Sequence, residues 1–154
     1  MTLLTGSSVT LLKEMKNKVL ITLVTEQTSE ESEPETLEIV TEGTLEKTPD
    51  GVLIEYDEPD EEMKGSKSSI LINSPEHITM TRTGTFNSHL VIEKSVRHNC
   101  LYDTPFGSIM MGIFASEVNA SFDSAGGTVK MKYTVDFNSS MVSENTVTVN
   151  VKNI

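Results

Sequence analysis

The sequence has no tryptophan and one cysteine, and its whole stock of rings is three tyrosines and five phenylalanines. With so few aromatics, core filling falls to Val, Ile, Leu and eight Met, which fit irregular space but leave cavities more readily than rings do. Cys100 has no second cysteine to pair with, which points to a reducing cytoplasm. The longest apolar run, Ile109 to Ala115, is too short to span a bilayer. Over Met1 to Leu12 the lysines follow the apolar part instead of preceding it, unlike a signal peptide. Bases are scarce too, 12 against 23 acids. Without a basic stripe the chain is not expected to bind nucleic acid or an anionic membrane.

Catalytic and metal signatures are also missing. There is no Gly-x-Ser-x-Gly, no His-Glu-x-x-His and no cysteine pair. Ser124-Ala-Gly-Gly127 is followed by neither a lysine nor a helical pattern, so it reads as a turn and not a phosphate cradle. Asp57-Glu-Pro-Asp-Glu-Glu62 lacks the spacing and turn glycine of a helical calcium loop. His98 and Cys100 share a strand face but stand about 7 Å apart, too far for a nucleophile and its base. We therefore expect no enzymatic activity, no cofactor and no metal.

What the chain does have is alternation and acid. Its 154 residues carry a formal charge of −11. Between Glu26 and Glu62 fifteen acids face one base, Lys47, a local charge of −14. Apolar and polar residues alternate with period two over 18–25, 36–46, 51–58, 67–73, 77–83, 87–93, 96–102, 106–114, 117–123, 128–138 and 144–153, the mark of strands with one buried face. Turn signals separate them, among them Pro49-Asp-Gly, Asn73-Ser-Pro, Asp103-Thr-Pro and Asn138-Ser-Ser. A short helix fits only around Val9 to Asn17. Links this short impose antiparallel pairing of sequential strands, and closure removes the exposed edges of a long meander. The expected fold is all-β, an antiparallel up-and-down barrel of about eight to ten strands over 15–154, with 1–14 as an N-terminal extension. A two-sheet sandwich is the alternative.

Parity then assigns an interior. Val129, Met131, Tyr133, Val135 and Phe137 alternate with Lys130, Lys132, Thr134 and Asp136, so that strand is firmly placed. The same rule turns Phe106, Ser108, Met110 and Phe114 inward, and with them Tyr56, Ser88, Tyr102 and Arg82. Arg82 is the anomaly: it shares a face with Ile78 and Met80. A guanidinium on a buried face needs a counter-charge or a bound anion, and Glu58 is the nearest candidate. Alternate loops of a meander lie at one end, which brings together the connections at 26–35, 58–66, 84–86 and 103–105. That acidic end collects Tyr56, Glu58, Arg82, Ser88, Tyr102 and Ser108 as a polar mouth. Arg82 either anchors a ligand there, pairs internally with Glu58, or reaches solvent past its own stem.

Several phrases in order carry a resemblance: Val40-Thr-Glu-Gly-Thr44, Ile54-Glu-Tyr-Asp-Glu58, Thr81-Arg-Thr-Gly84 followed by Ser88, Tyr102-Asp-Thr-Pro-Phe-Gly107, and Gly127 leading into Tyr133. Over about Met15 to Val151 the chain resembles the bacterial YwiB-like family, uncharacterised proteins with a lipocalin-like, calycin-type β-barrel. The resemblance implies a fold many of whose members hold small apolar ligands, and it implies no activity. The Gly-x-Trp of true lipocalins is missing, and Gly84 stands two after Arg82 where fatty-acid binders carry a tyrosine. The sequence thus supports a cytoplasmic barrel that binds a small apolar or amphipathic molecule at its acidic end. The competing reading is a packed interaction module that meets a basic partner through its acidic loops or a second copy through an edge strand.

Overall fold

The structure, a computed structural model, describes residues 16–138 and 140–154; the 1–14 extension and most of the helix proposed around Val9 to Asn17 lie outside them. Ten strands form a closed antiparallel barrel: β1 (Asn17–Ser29), β2 (Ser32–Thr48), β3 (Gly51–Asp57), β4 (Lys67–Ser74), β5 (His77–Thr83), β6 (Ser88–Glu93), β7 (Arg97–Thr104), β8 (Gly107–Asp123), β9 (Gly126–Phe137) and β10 (Ser140–Asn153). Each strand pairs with its sequence neighbours, and β1 closes on β10 with Ile21 opposite Val151 and Leu23 opposite Val149. Among the described residues the only helix is a 3₁₀ turn at Glu61–Met63, capped by the Asp60 carboxylate accepting from the Glu62 N–H at 3.0 Å. Within the Asp57 to Glu62 run, Asp60, Glu61 and Glu62 are solvated in this turn, whereas the Glu58 side chain points into the barrel.

The core is aliphatic, as the shortage of rings requires. Ile21, Ile54, Ile70, Ile78, Ile92, Ile113 and Met131 are its largest fully buried side chains. β2 and β8, 17 residues each, form the barrel's corners. Residues 44–48 of β2 pair with β3 while the rest of the strand follows β1; residues 107–114 of β8 pair with β7 while 112–123 follow β9. Each corner bends by a local device. At Gly43 an added Cβ would lie 2.3 Å from the Glu55 carbonyl oxygen and 2.7 Å from Ile21 Cδ1, so only glycine lets β2 lie this close to β3. In β8 the register shifts between Ala115 and Glu117. This is a bulge, which bends the strand and reverses its parity.

That bulge corrects the sequence reading of β8. The expected strands 106–114 and 117–123 are one strand, and the inward parity of its second half does not carry back through the extra residue. Ile113 and Ala115 are buried; Met110 and Phe114 face out, and Phe106 at the preceding turn is 99% exposed. Leu37 shares the parity of the buried Leu45 on β2 but is exposed, because the β1–β2 hairpin runs beyond the packed interior there.

Candidate functional site

The connections β1–β2, β3–β4, β5–β6, β7–β8 and β9–β10 share one end of the barrel, so the acidic loops do crowd together. Just inside that end, register alone builds a polar row. Tyr56 stands opposite Ser68, Ser68 opposite Arg82, Arg82 opposite Ser88, and Ser88 opposite Tyr102. One layer deeper the same strands place Ile54, Ile70, Met80 and Leu90 in an apolar row. A cavity of about 60 Å³ lies between the rows, lined by Tyr56, Ser68, Ile70, Met80, Arg82, Ser88, Leu90 and Tyr102 among others.

Arg82 and Glu58 form the expected pair. Arg82 Nη2 donates to Glu58 Oε1 at 3.5 Å, and the same oxygen accepts from Ser68 Oγ at 2.5 Å. The carboxylate is the deeper partner: the Glu58 side chain is 4% exposed and that of Arg82 24%. Arg82 Nε is buried and finds no acceptor among the described residues. Such a donor carries a desolvation cost of about 1–3 kcal/mol until something accepts from it. The loops above are tied down: the Glu58 N–H donates to the Ser66 carbonyl at 3.0 Å, the Thr85 N–H to Ser66 Oγ at 3.2 Å, and Thr85 Oγ1 to the Lys64 carbonyl at 2.8 Å. These bonds join the β3–β4 loop to the β5–β6 turn and hold Glu58 against Arg82. Burial, reinforced by the Glu58 carboxylate, pushes the Tyr56 hydroxyl up to about 12 against the lowering effect of Ser68 and Arg82. Tyr133 is likewise pushed up to about 12, by burial first and then by Tyr102.

Five of the six expected residues therefore meet: Tyr56, Glu58, Arg82, Ser88 and Tyr102. Ser108 does not. It lies before the β8 bulge, on the outer face, exposed, and donates to Asp103 Oδ1 at 2.5 Å. Ser68 is the residue missed, although it shares parity with Ile70 and Ile72 and was open to the same rule. Ser143 and Asn145 are also buried, with Asn145 Nδ2 donating to Ser143 Oγ at 3.0 Å. A larger hollow of about 450 Å³ lies between the β1–β2 and β9–β10 hairpins, lined by residues such as Glu30, Glu31, Phe137 and Met141. Most of that lining is exposed, whereas buried polar groups converge at Arg82.

His98 and Cys100 do not act together. His98 Nε2 lies 2.9 Å from Glu93 Oε1, while Cys100 Sγ accepts from the Val91 N–H at 3.3 Å. Burial pushes the Cys100 thiol up, away from the thiolate a nucleophile needs. No group of three or more His, Cys, Asp or Glu among the described residues is arranged to hold a metal. No helix among them is long and apolar enough to cross a membrane.

Fold and site define a class: a closed ten-stranded antiparallel barrel with an ion-paired polar pocket under one rim. Within that class the chain belongs to the family described as Domain of unknown function (DUF1934), whose model matches residues 21–149. Among solved structures it is similar to the ywiB protein from Bacillus subtilis, with a TM-score of 0.80 at 14% sequence identity over 91% of this chain and 94% of that one. At that identity the likeness speaks for the fold, in agreement with the YwiB-like resemblance of the ordered phrases. No curated protein matches the sequence.

Proposed function

We propose that the protein binds a small, partly apolar molecule at the acidic end of the barrel, with an oxygen of that molecule accepting from Arg82. The observation that carries this reading is the buried Arg82 Nε without an acceptor among the described residues, beside a cavity whose other wall is Ile70, Met80 and Leu90. The volume, about 60 Å³, limits the occupant. A water needs roughly 10–15 Å³ on this measure, so the cavity admits a fragment of a few heavy atoms and no acyl chain. The surrounding acids disfavour a multiply charged anion, which leaves a single carboxylate or a neutral carbonyl. A site of this kind binds and orients. We assign the protein no reaction. We place it in the cytoplasm, on the single buried thiol.

Thermal-shift measurements across short monocarboxylates and neutral carbonyl compounds, paired with native mass spectrometry of gently purified protein, test the reading. It expects a saturable shift with at least one compound, abolished in Arg82→Met. No bound mass and no shift would mean that the cavity holds water alone.

A further inference from the structure

The two barrel corners are finished differently. The half of β8 that has left β7, residues 115–123, is covered by backbone from the opposite end of the barrel. The Ser95 N–H donates to the Ala115 carbonyl at 2.8 Å, and the Ala120 N–H donates to the Pro75 carbonyl at 3.0 Å. The corresponding half of β2, residues 32–42, pairs with β1 on one side. On its other side it makes no backbone hydrogen bond among the described residues, because register with β3 stops at Thr44 opposite Glu55. Among the described residues it is thus an edge strand within an otherwise closed barrel, and a row of unpaired amides and carbonyls is a template for another strand.

We infer that residues 32–42 of β2 receive an extended, basic segment of another protein as an added strand. Three observations set the partner's chemistry. Glu33, Glu35, Glu38 and Glu42 are exposed along this edge, so lysine or arginine on the incoming strand meets opposite charge from residue to residue. Leu37 and Val40, 58% and 54% exposed, lie on opposite faces and give an added strand an apolar contact on each side. A second copy of this chain is disfavoured, since antiparallel self-pairing sets glutamates against glutamates in a molecule of net charge −11. Pro34, tolerated only at an edge, and these acids keep the strand from random pairing while leaving it open to a complementary one. In such strand addition main-chain bonds supply affinity and alternate side chains supply selection.

The test is hydrogen exchange on the full chain with two nine-residue probes of alternating valine and charge, one carrying lysines and one glutamates. In the free protein, alternate amides of 32–42 exchange fast, because their N–H groups point away from β1. The lysine probe slows those amides and the glutamate probe does not. Glu35→Lys with Glu38→Lys keeps the thermal transition, weakens the lysine probe about tenfold and gains the glutamate probe. The inference is overturned if those amides are already protected in the free chain, which would give the edge to the chain's own N-terminal residues or to a second copy. It is equally overturned if both probes bind alike, or if neither changes exchange on this strand.

Discussion

A guanidinium among aliphatic side chains is stable only through its partners, and here the deeper partner is the carboxylate. Replacing Arg82 by Met leaves Glu58 buried with Ser68 alone, and stability falls by about 3 kcal/mol in chemical denaturation. Adding Glu58→Gln removes the orphaned charge and recovers more than half of that loss. If the double variant is no better than the single one, the two residues are not coupled and the 3.5 Å contact is incidental. The tyrosines give a second prediction. Tyr56 and Tyr133 hold their protons to about 12 when folded, against about 10 in the unfolded chain. Between those values the folded state binds more protons than the unfolded one, so stability is untouched below pH 10 and falls as pH rises from 10 to 12. The slope reaches about 1.4 kcal/mol per pH unit for each tyrosine. Urea denaturation at stepped pH measures it, and Tyr56→Phe removes about half; an unchanged slope in that variant would place the linkage elsewhere.

Corner strands explain where pattern reading succeeds and where it stops. Arg82, Glu58, Tyr56, Ser88 and Tyr102 lie on or next to short strands of unbroken alternation, so parity and the order of loops suffice to bring them together. Ser108 and Met110 lie on a strand that spends one residue on a bulge near Ser116, and nothing in Phe114-Ala-Ser-Glu-Val118 announces it. One uncounted residue inverts every assignment before it. The open edge of β2 is hidden for another reason: alternation locates a strand's faces but not how far its neighbour follows it. Tertiary approach is equally invisible at Gly112. Arg97 crosses directly over that residue to make a two-pronged pair with Asp136, at 3.1 Å through Nε and 2.6 Å through Nη2, joining β7 to β9 across β8. An alanine Cβ there would lie 2.0 Å from Arg97 Nη2, and the side chain, exposed and flexible, can swing away; Gly112→Ala should therefore cost no more than about 1 kcal/mol. At Gly43 the obstacle is backbone. Gly43→Ala must push β2 off β3, at about 1–3 kcal/mol, together with faster exchange of the amides around Thr44 and Glu55. Equal costs at the two glycines would contradict this distinction between a yielding side chain and a fixed carbonyl.

The molecule as a whole is closed by its first and last strands, β1 on β10, so the barrel is complete only when distant parts of the chain have met. Against that closure works an uneven charge. Residues 26–62 carry −14, and apart from Glu26 on β1 and Asp50 in the β2–β3 turn their acids fall on β2, β3 and the loops of one end, where folding concentrates them. Few bases answer them. Lys18 reaches Glu42 at 3.5 Å with both side chains largely exposed, a geometry worth little in water, and Arg82 is committed to Glu58. Repulsion among the remaining acids is greater in the folded barrel than in the extended chain, and added salt relieves it. Raising NaCl from 0.01 M to 0.1 M shortens the screening length from about 30 Å to about 10 Å, comparable with the spacing between neighbouring loops. Stability should therefore rise with salt, by roughly 1 kcal/mol over this range, as a higher midpoint in urea at constant pH. Glu35→Gln with Glu38→Gln should raise the midpoint at low salt and flatten its salt dependence, because part of the repulsion is then already gone. A midpoint that falls with salt would mean that attractive pairs outweigh the acidic end, and the barrel's charge would have to be read as stabilising.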